Sequence, residues 1–111
     1  MDFYNSYFYT ETIFNLAHLL ADDNIKLIII NSLKHLVKQQ LVDIYAFVIM
    51  PNHIHLIWNM LKMNGKESPA TRFTKFTAHQ IKSYLITRNP ILLKEYKSEK
   101  VDRSYQFWKR D

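Results

Sequence analysis

Residues 42–61 constrain this chain more than any other stretch. Two apolar runs, 42–50 and 53–61, are separated only by Pro51-Asn52. Pro lacks a backbone donor and Asn tolerates turn conformations, so the pair predicts a chain reversal. The first run, Val-Asp-Ile-Tyr-Ala-Phe-Val-Ile-Met, is apolar at odd and even positions, the pattern of a central strand. The second, His-Ile-His-Leu-Ile-Trp-Asn-Met-Leu, alternates. Together they predict a β-hairpin around which the rest of the fold is arranged.

The flanking segments supply the other elements. Residues 4–14 are aromatic and β-branched and predict a strand. Residues 23–40 predict a helix, with Asp22 or Asp23 as cap and a stripe through Ile29, Ile30, Leu33, Leu36 and Val37. The run Ile28-Ile29-Ile30 favours a strand locally, but segment length and the cap favour the helix. Residues 62–69 hold the single Gly and a Pro and predict a loop. Residues 70–88 predict a second helix, with a stripe through Phe73, Phe76, Thr77, Gln80, Ile81 and Tyr84, stopped by Pro90. One or two helical turns at 91–97 and a last strand at 104–109 complete the order. Strand, helix, strand, strand, helix, strand is the βαββαβ order of an α+β, ferredoxin-like fold with helices on one face of an antiparallel sheet.

Composition removes several chemistries. The 111 residues suit one domain, 1–111. No cysteine is present, which excludes disulfides, thiolate zinc sites and a thiol nucleophile. One glycine excludes the Gly-rich phosphate loops. The longest apolar run, Tyr45 to Met50, is far shorter than the roughly 20 residues of a membrane helix. The opening Met-Asp-Phe-Tyr lacks the basic start of a signal peptide, so a soluble cytoplasmic protein is expected. Residues 1–69 carry five Lys and Arg against six Asp and Glu; residues 70–111 carry ten against four. A basic half suits a phosphate backbone and also suits a plain solvated surface.

His53 and His55 carry the sharpest chemical signal. Strand residues i and i+2 share a face, their Cα atoms roughly 6.5–7 Å apart. Two imidazoles so placed can converge on one divalent cation, while Ile54, Leu56 and Trp58 turn to the core. On spacing alone, two partly exposed strand histidines are the commoner reading. His18 and His35 lack a partner at ligand spacing, and His79 sits near Lys75 and Lys82 on a predicted surface.

The run Val48-Ile49-Met50-Pro51-Asn52-His53-Ile54-His55-Leu56-Ile57-Trp58 resembles the signature of the HUH single-tyrosine transposases, best the branch associated with repetitive extragenic palindromes. Tyr7-Phe8-Tyr9-Thr10, Ser32-Leu33-Lys34, the segment Lys75 to Lys82 and the segment Asp102 to Asp111 are similar to that family in the same order. The resemblance spans nearly the whole chain. It implies a ferredoxin-like fold, His53 and His55 as ligands of a divalent metal (Mg or Mn), and single-stranded or hairpin DNA as substrate. In the family a tyrosine attacks the scissile phosphate and forms a 5′-phosphotyrosine, releasing a 3′-OH.

One departure limits what is carried over. The family's tyrosine lies on a helix after the Gln-Phe-Trp segment, and here Gln106-Phe107-Trp108 is followed by three residues. The resemblance therefore implies a catalytically incomplete domain, as a relic, as a fragment, or with the helix supplied by another chain. Such a loss would uncover apolar surface and favour a homodimer or poor solubility. Tyr84 lies on the apolar stripe and reads as packing; no tyrosine of 1–111 is assigned as nucleophile. Arg72, Lys75, Lys82, Lys109 and Arg110 are the candidate DNA-binding residues, with Trp108 or Phe107 as base-stacking candidates. The alternative is a nucleic-acid-binding module that uses the same fold without chemistry.

Overall fold

The computed structural model describes residues 7–62, 65–98 and 105–110. Its elements are β1 (Tyr7–Thr12), α1 (Asp23–Lys38), β2 (Val42–Met50), β3 (His53–Met60), α2 (Pro69–Arg88) and a short α3 (Pro90–Lys94). The sheet is antiparallel in the order β1-β3-β2, with the helices packed against it, an α+β arrangement of ferredoxin-like type. No described helix is long and apolar enough to cross a membrane.

The expected last strand is reduced to isolated pairings. Ile13 bridges Trp108, Lys109 N–H donates to the Thr12 carbonyl at 2.7 Å, and Phe14 N–H donates to the Phe107 carbonyl at 2.8 Å. These bonds place the segment beside the end of β1, on the side away from β3. Residue 104 and the Asp102-Arg103 part of the family-like segment lie outside the described residues, as do residues 4–6 of the expected first strand.

β2 is an edge strand, not the central strand that its apolar pattern predicts; β3 is central. Apolarity on both faces marks burial only when both faces are covered. Here Val48 and Met50 point to the face without helices and stay exposed. An extra residue, Tyr45, bulges out of β2 between the pairs Ile44–Trp58 and Ala46–Ile57.

The core lies between the sheet and the two long helices. Ile54, Leu56 and Trp58 of β3 are fully buried there. α1 buries Ile25, Ile29, Ser32, Leu33 and Leu36. Val37, expected on that stripe, is exposed, because the buried face shifts to Ser32 and Leu36 in the last turns and leaves it on the flank. Asp22 is the cap: its Oδ1 accepts from Asn24 N–H at 2.8 Å. α1 ends where Gln40 takes φ 59°, its N–H donating to the Val37 carbonyl while Leu41 N–H donates to that of Leu36. That pair of bonds is the Schellman termination.

α2 starts one residue earlier than expected, with Ser68 as cap and Pro69 in the first turn. Its buried line is Pro69, Phe73, Thr77, Ile81 and Leu85. Phe76 falls off it and stacks on His35 of α1, ring centroids 6.3 Å apart. Thr77 joins the last segment to the core: its Oγ1 accepts from Trp108 Nε1 at 3.0 Å and donates to the Phe73 carbonyl at 2.7 Å.

Candidate metal and nucleic-acid site

The register places the histidine pair on the open face of the sheet. Cross-strand partners share a face, and faces alternate along each strand. His53 pairs with Thr12 and Met50, and His55 with Thr10 and Val48. Phe8 lies further along β1, opposite Ile57. The open face therefore carries Phe8, Thr10 and Thr12 on β1, His53, His55 and Ile57 on β3, and Val48 and Met50 on β2. The imidazoles stand side by side, ring centroids 4.6 Å apart with planes at 77°.

Each imidazole is held through Nδ1. His53 Nδ1 lies 2.6 Å from Asn52 Oδ1, and His55 Nδ1 lies 2.8 Å from Thr10 Oγ1. An amide oxygen only accepts, so Nδ1 of His53 is the donor, and in the neutral ring the lone pair is on Nε2. The Thr10 hydroxyl can accept from His55 in the same sense. Each Nε2 has no hydrogen-bond partner among the described residues. A metal-ligating histidine needs this tautomer, and an outer partner at Nδ1 is usual for such ligands.

The hairpin turn is anchored from outside. Ile13 N–H donates to Asn52 O at 2.8 Å, and Leu20 N–H donates to Pro51 O at 2.9 Å. The sequence points to Asn52 for its backbone tolerance. The described positive φ values lie instead at Asn15, Leu16, Gln40 and Gly65, and Asn52 contributes its side chain.

Two histidines fit as part of a ligand set. Among the described residues no group of three or more His, Cys, Asp or Glu gathers to hold a metal. The nearest strand carboxylate, Glu11, pairs with Ile54 and so belongs to the opposite face.

The tyrosines avoid the histidine face among the described residues. Tyr7 and Tyr9 pair with Trp58 and Leu56 on the helix side; Tyr9 stacks on Trp58 at 4.9 Å and donates to Glu11. Burial raises the Tyr9 hydroxyl far above the usual tyrosine value, and Glu11 adds to it. Burial also raises Tyr7 and Tyr96. Tyr84 is tied by hydrogen bonds to Asp22 at 2.9 Å and Asn24 at 3.2 Å. Tyr105 lies against α2 under Lys82, whose Nζ is 5.4 Å from its ring centre. Tyr45 faces α1 in the groove beside β2.

The expected basic residues divide. Lys75, Lys109 and Arg110 line one cleft of about 640 Å³ with Thr71 and Thr74. Lys75 is ion-paired there with Glu67 at 3.1 Å. Arg72 and Lys82 lie on α2 but do not line that cleft. Glu11 lines the cleft while its neighbours Thr10 and Thr12 face the histidines, so the cleft and the pair meet across β1. The two base-stacking candidates are core residues: Phe107 is fully buried, and Trp108 packs on Phe73 with its Nε1 bonded to Thr77.

Sequence reasoning does not single out Thr10 or Asn52 as partners of the histidines. Asn52 is adjacent to His53 in sequence, so its reach to Nδ1 is a readable signal. Thr10 meets His55 only through strand register, which no local pattern carries. Compared with known proteins, the chain matches no family model, no curated protein and no solved structure.

Proposed function

We propose that this chain is a single-stranded-DNA-processing domain of the HUH transposase type. On this reading His53 and His55 hold a divalent cation, Mg or Mn, against a scissile phosphate. The observation that carries it is the paired imidazoles on an open sheet face, each engaged at Nδ1 by Asn52 or Thr10. When bound, the cation would withdraw charge from the phosphoryl oxygens. The chain's own residues orient the two Nε2 atoms and supply cations for the DNA backbone, chiefly Lys109 and Arg110, with Lys75, Arg72 and Lys82 on α2.

The attacking hydroxyl must come from outside the described residues, on this chain or on a second copy. That same point favours a second reading, binding of single-stranded nucleic acid without chemistry. One comparison separates the two. Mn binding is followed by electron paramagnetic resonance, and hairpin-oligonucleotide affinity is measured with and without Mn. The metal reading expects wild-type protein to bind Mn and to hold DNA more tightly with it, and H53A/H55A to lose both. Equal, salt-sensitive DNA binding by both proteins, indifferent to Mn, would replace it with the second reading.

A further inference from the structure

Phe8 is 80% exposed, a full aromatic ring held in water by a regular strand. It sits on the open face two residues from Thr10, which bonds His55. Val48 and Met50 on the far strand of that face are also exposed, at 47% and 41%. The face is not a dry one: two imidazoles and two threonine hydroxyls lie among these apolar groups. Cationic residues stand at the end of β1, since Lys109 is bonded through its backbone to Thr12, the residue opposite His53, and Arg110 follows. Aromatic ring, polar centre and cationic margin succeed one another along β1. From Thr12 to Phe8 the strand runs about 13 Å.

We propose that this face binds an unpaired stretch of nucleic acid, with a nucleobase stacked on Phe8 and the neighbouring phosphates led toward the histidine pair. A base has an apolar face that an exposed ring can cover, and its phosphates want the cations at the margin. Antiparallel sheets use surface aromatics in this way to hold single strands. An apolar protein surface would bury the imidazoles and hydroxyls without satisfying them, at a desolvation cost. The inference rests on reading this face as a nucleic-acid surface and not on the metal. It reassigns the stacking role from Trp108 and Phe107, which are buried, to Phe8.

The test is fluorescence anisotropy with a labelled single-stranded oligothymidine at low salt, without metal, on wild type, F8A and F8W. Phe8 packs against little else, so melting curves of the three proteins are expected to coincide. F8A is expected to bind roughly 5- to 150-fold more weakly, and F8W to bind as wild type does. An oligonucleotide with abasic sites should abolish the difference between wild type and F8A. Wild-type affinity in F8A, or no binding by wild type, overturns the proposal. So does a change of oligomeric state in F8A at unchanged DNA affinity, which would assign the ring to self-association. Phe8-dependent binding in a protein that takes up no Mn would sustain this inference while the metal reading fails. Mn uptake with Phe8-independent binding would do the reverse.

Discussion

Asn52 sets which nitrogen of neutral His53 is offered, and Thr10 holds His55 at Nδ1. Replacing Thr10 with Val keeps the shape but removes the partner of His55 Nδ1. On the metal reading, T10V is expected to weaken Mn binding about 10- to 100-fold, read by calorimetric titration. Nitrogen NMR of the metal-free protein should show the His55 ring nitrogens shifting while those of His53, held by Asn52, stay in place. A second expectation concerns Tyr9. Its folded-state hydroxyl is raised above the ordinary 10.0, so the unfolded chain ionises first. The contribution is full below pH 10 and is lost as pH rises beyond it. Urea unfolding at about pH 8 and about pH 11, on either side of the ordinary tyrosine value, should show wild type losing more stability than Y9F. The histidine pair was legible from His-x-His spacing, because a period of two fixes a shared face. The partner Thr10 was not, because register joins residues far apart in sequence.

The ends of the helices are the sharpest features of the elements. Gln40 terminates α1 with φ 59°, a conformation that costs a side-chain-bearing residue about 1–2 kcal/mol. Glycine removes that cost but gives the unfolded chain more entropy to lose, which offsets part of the gain. Q40G is therefore expected to gain about 0.5–1 kcal/mol in denaturant unfolding, with no change in DNA affinity. At the other end of the chain, T77V would leave the buried Trp108 Nε1 without its acceptor. A loss of about 1–3 kcal/mol is expected, with Trp108 fluorescence shifting as the last segment loosens. The helices themselves were legible because caps and apolar lines are local: Asp22 and the line through Phe73, Thr77 and Ile81 behave as their spacing requires. The place of β2 was not. Its sequence is apolar on both faces, and only the assembled sheet shows that one of them is uncovered.

Across the whole molecule, three basic residues of the second half, Lys75, Lys109 and Arg110, gather in one cleft. Lys109 and Arg110 border both the cleft beside α2 and the β1 end that faces the histidines. K109A/R110A is expected to weaken oligonucleotide binding regardless of sequence. It should also flatten the salt dependence by about 0.7 in log–log slope for each phosphate no longer neutralised, as measured by anisotropy across a salt series. Lys75, already paired with Glu67, should matter less. The backbone bond from Lys109 to Thr12 has a temporal meaning as well. It joins one of the first described residues to one of the last, and the bonds from Ile13 and Leu20 to the hairpin turn close long loops too. Pairings so distant in sequence form slowly, because loop closure comes before its reward. During synthesis the hairpin can pair as soon as residues 42–60 leave the ribosome, but the β1 margin of the site waits for residue 109. The histidines are thus made early and framed late, and a chain halted before Trp108 would emerge with the pair present and one wall missing.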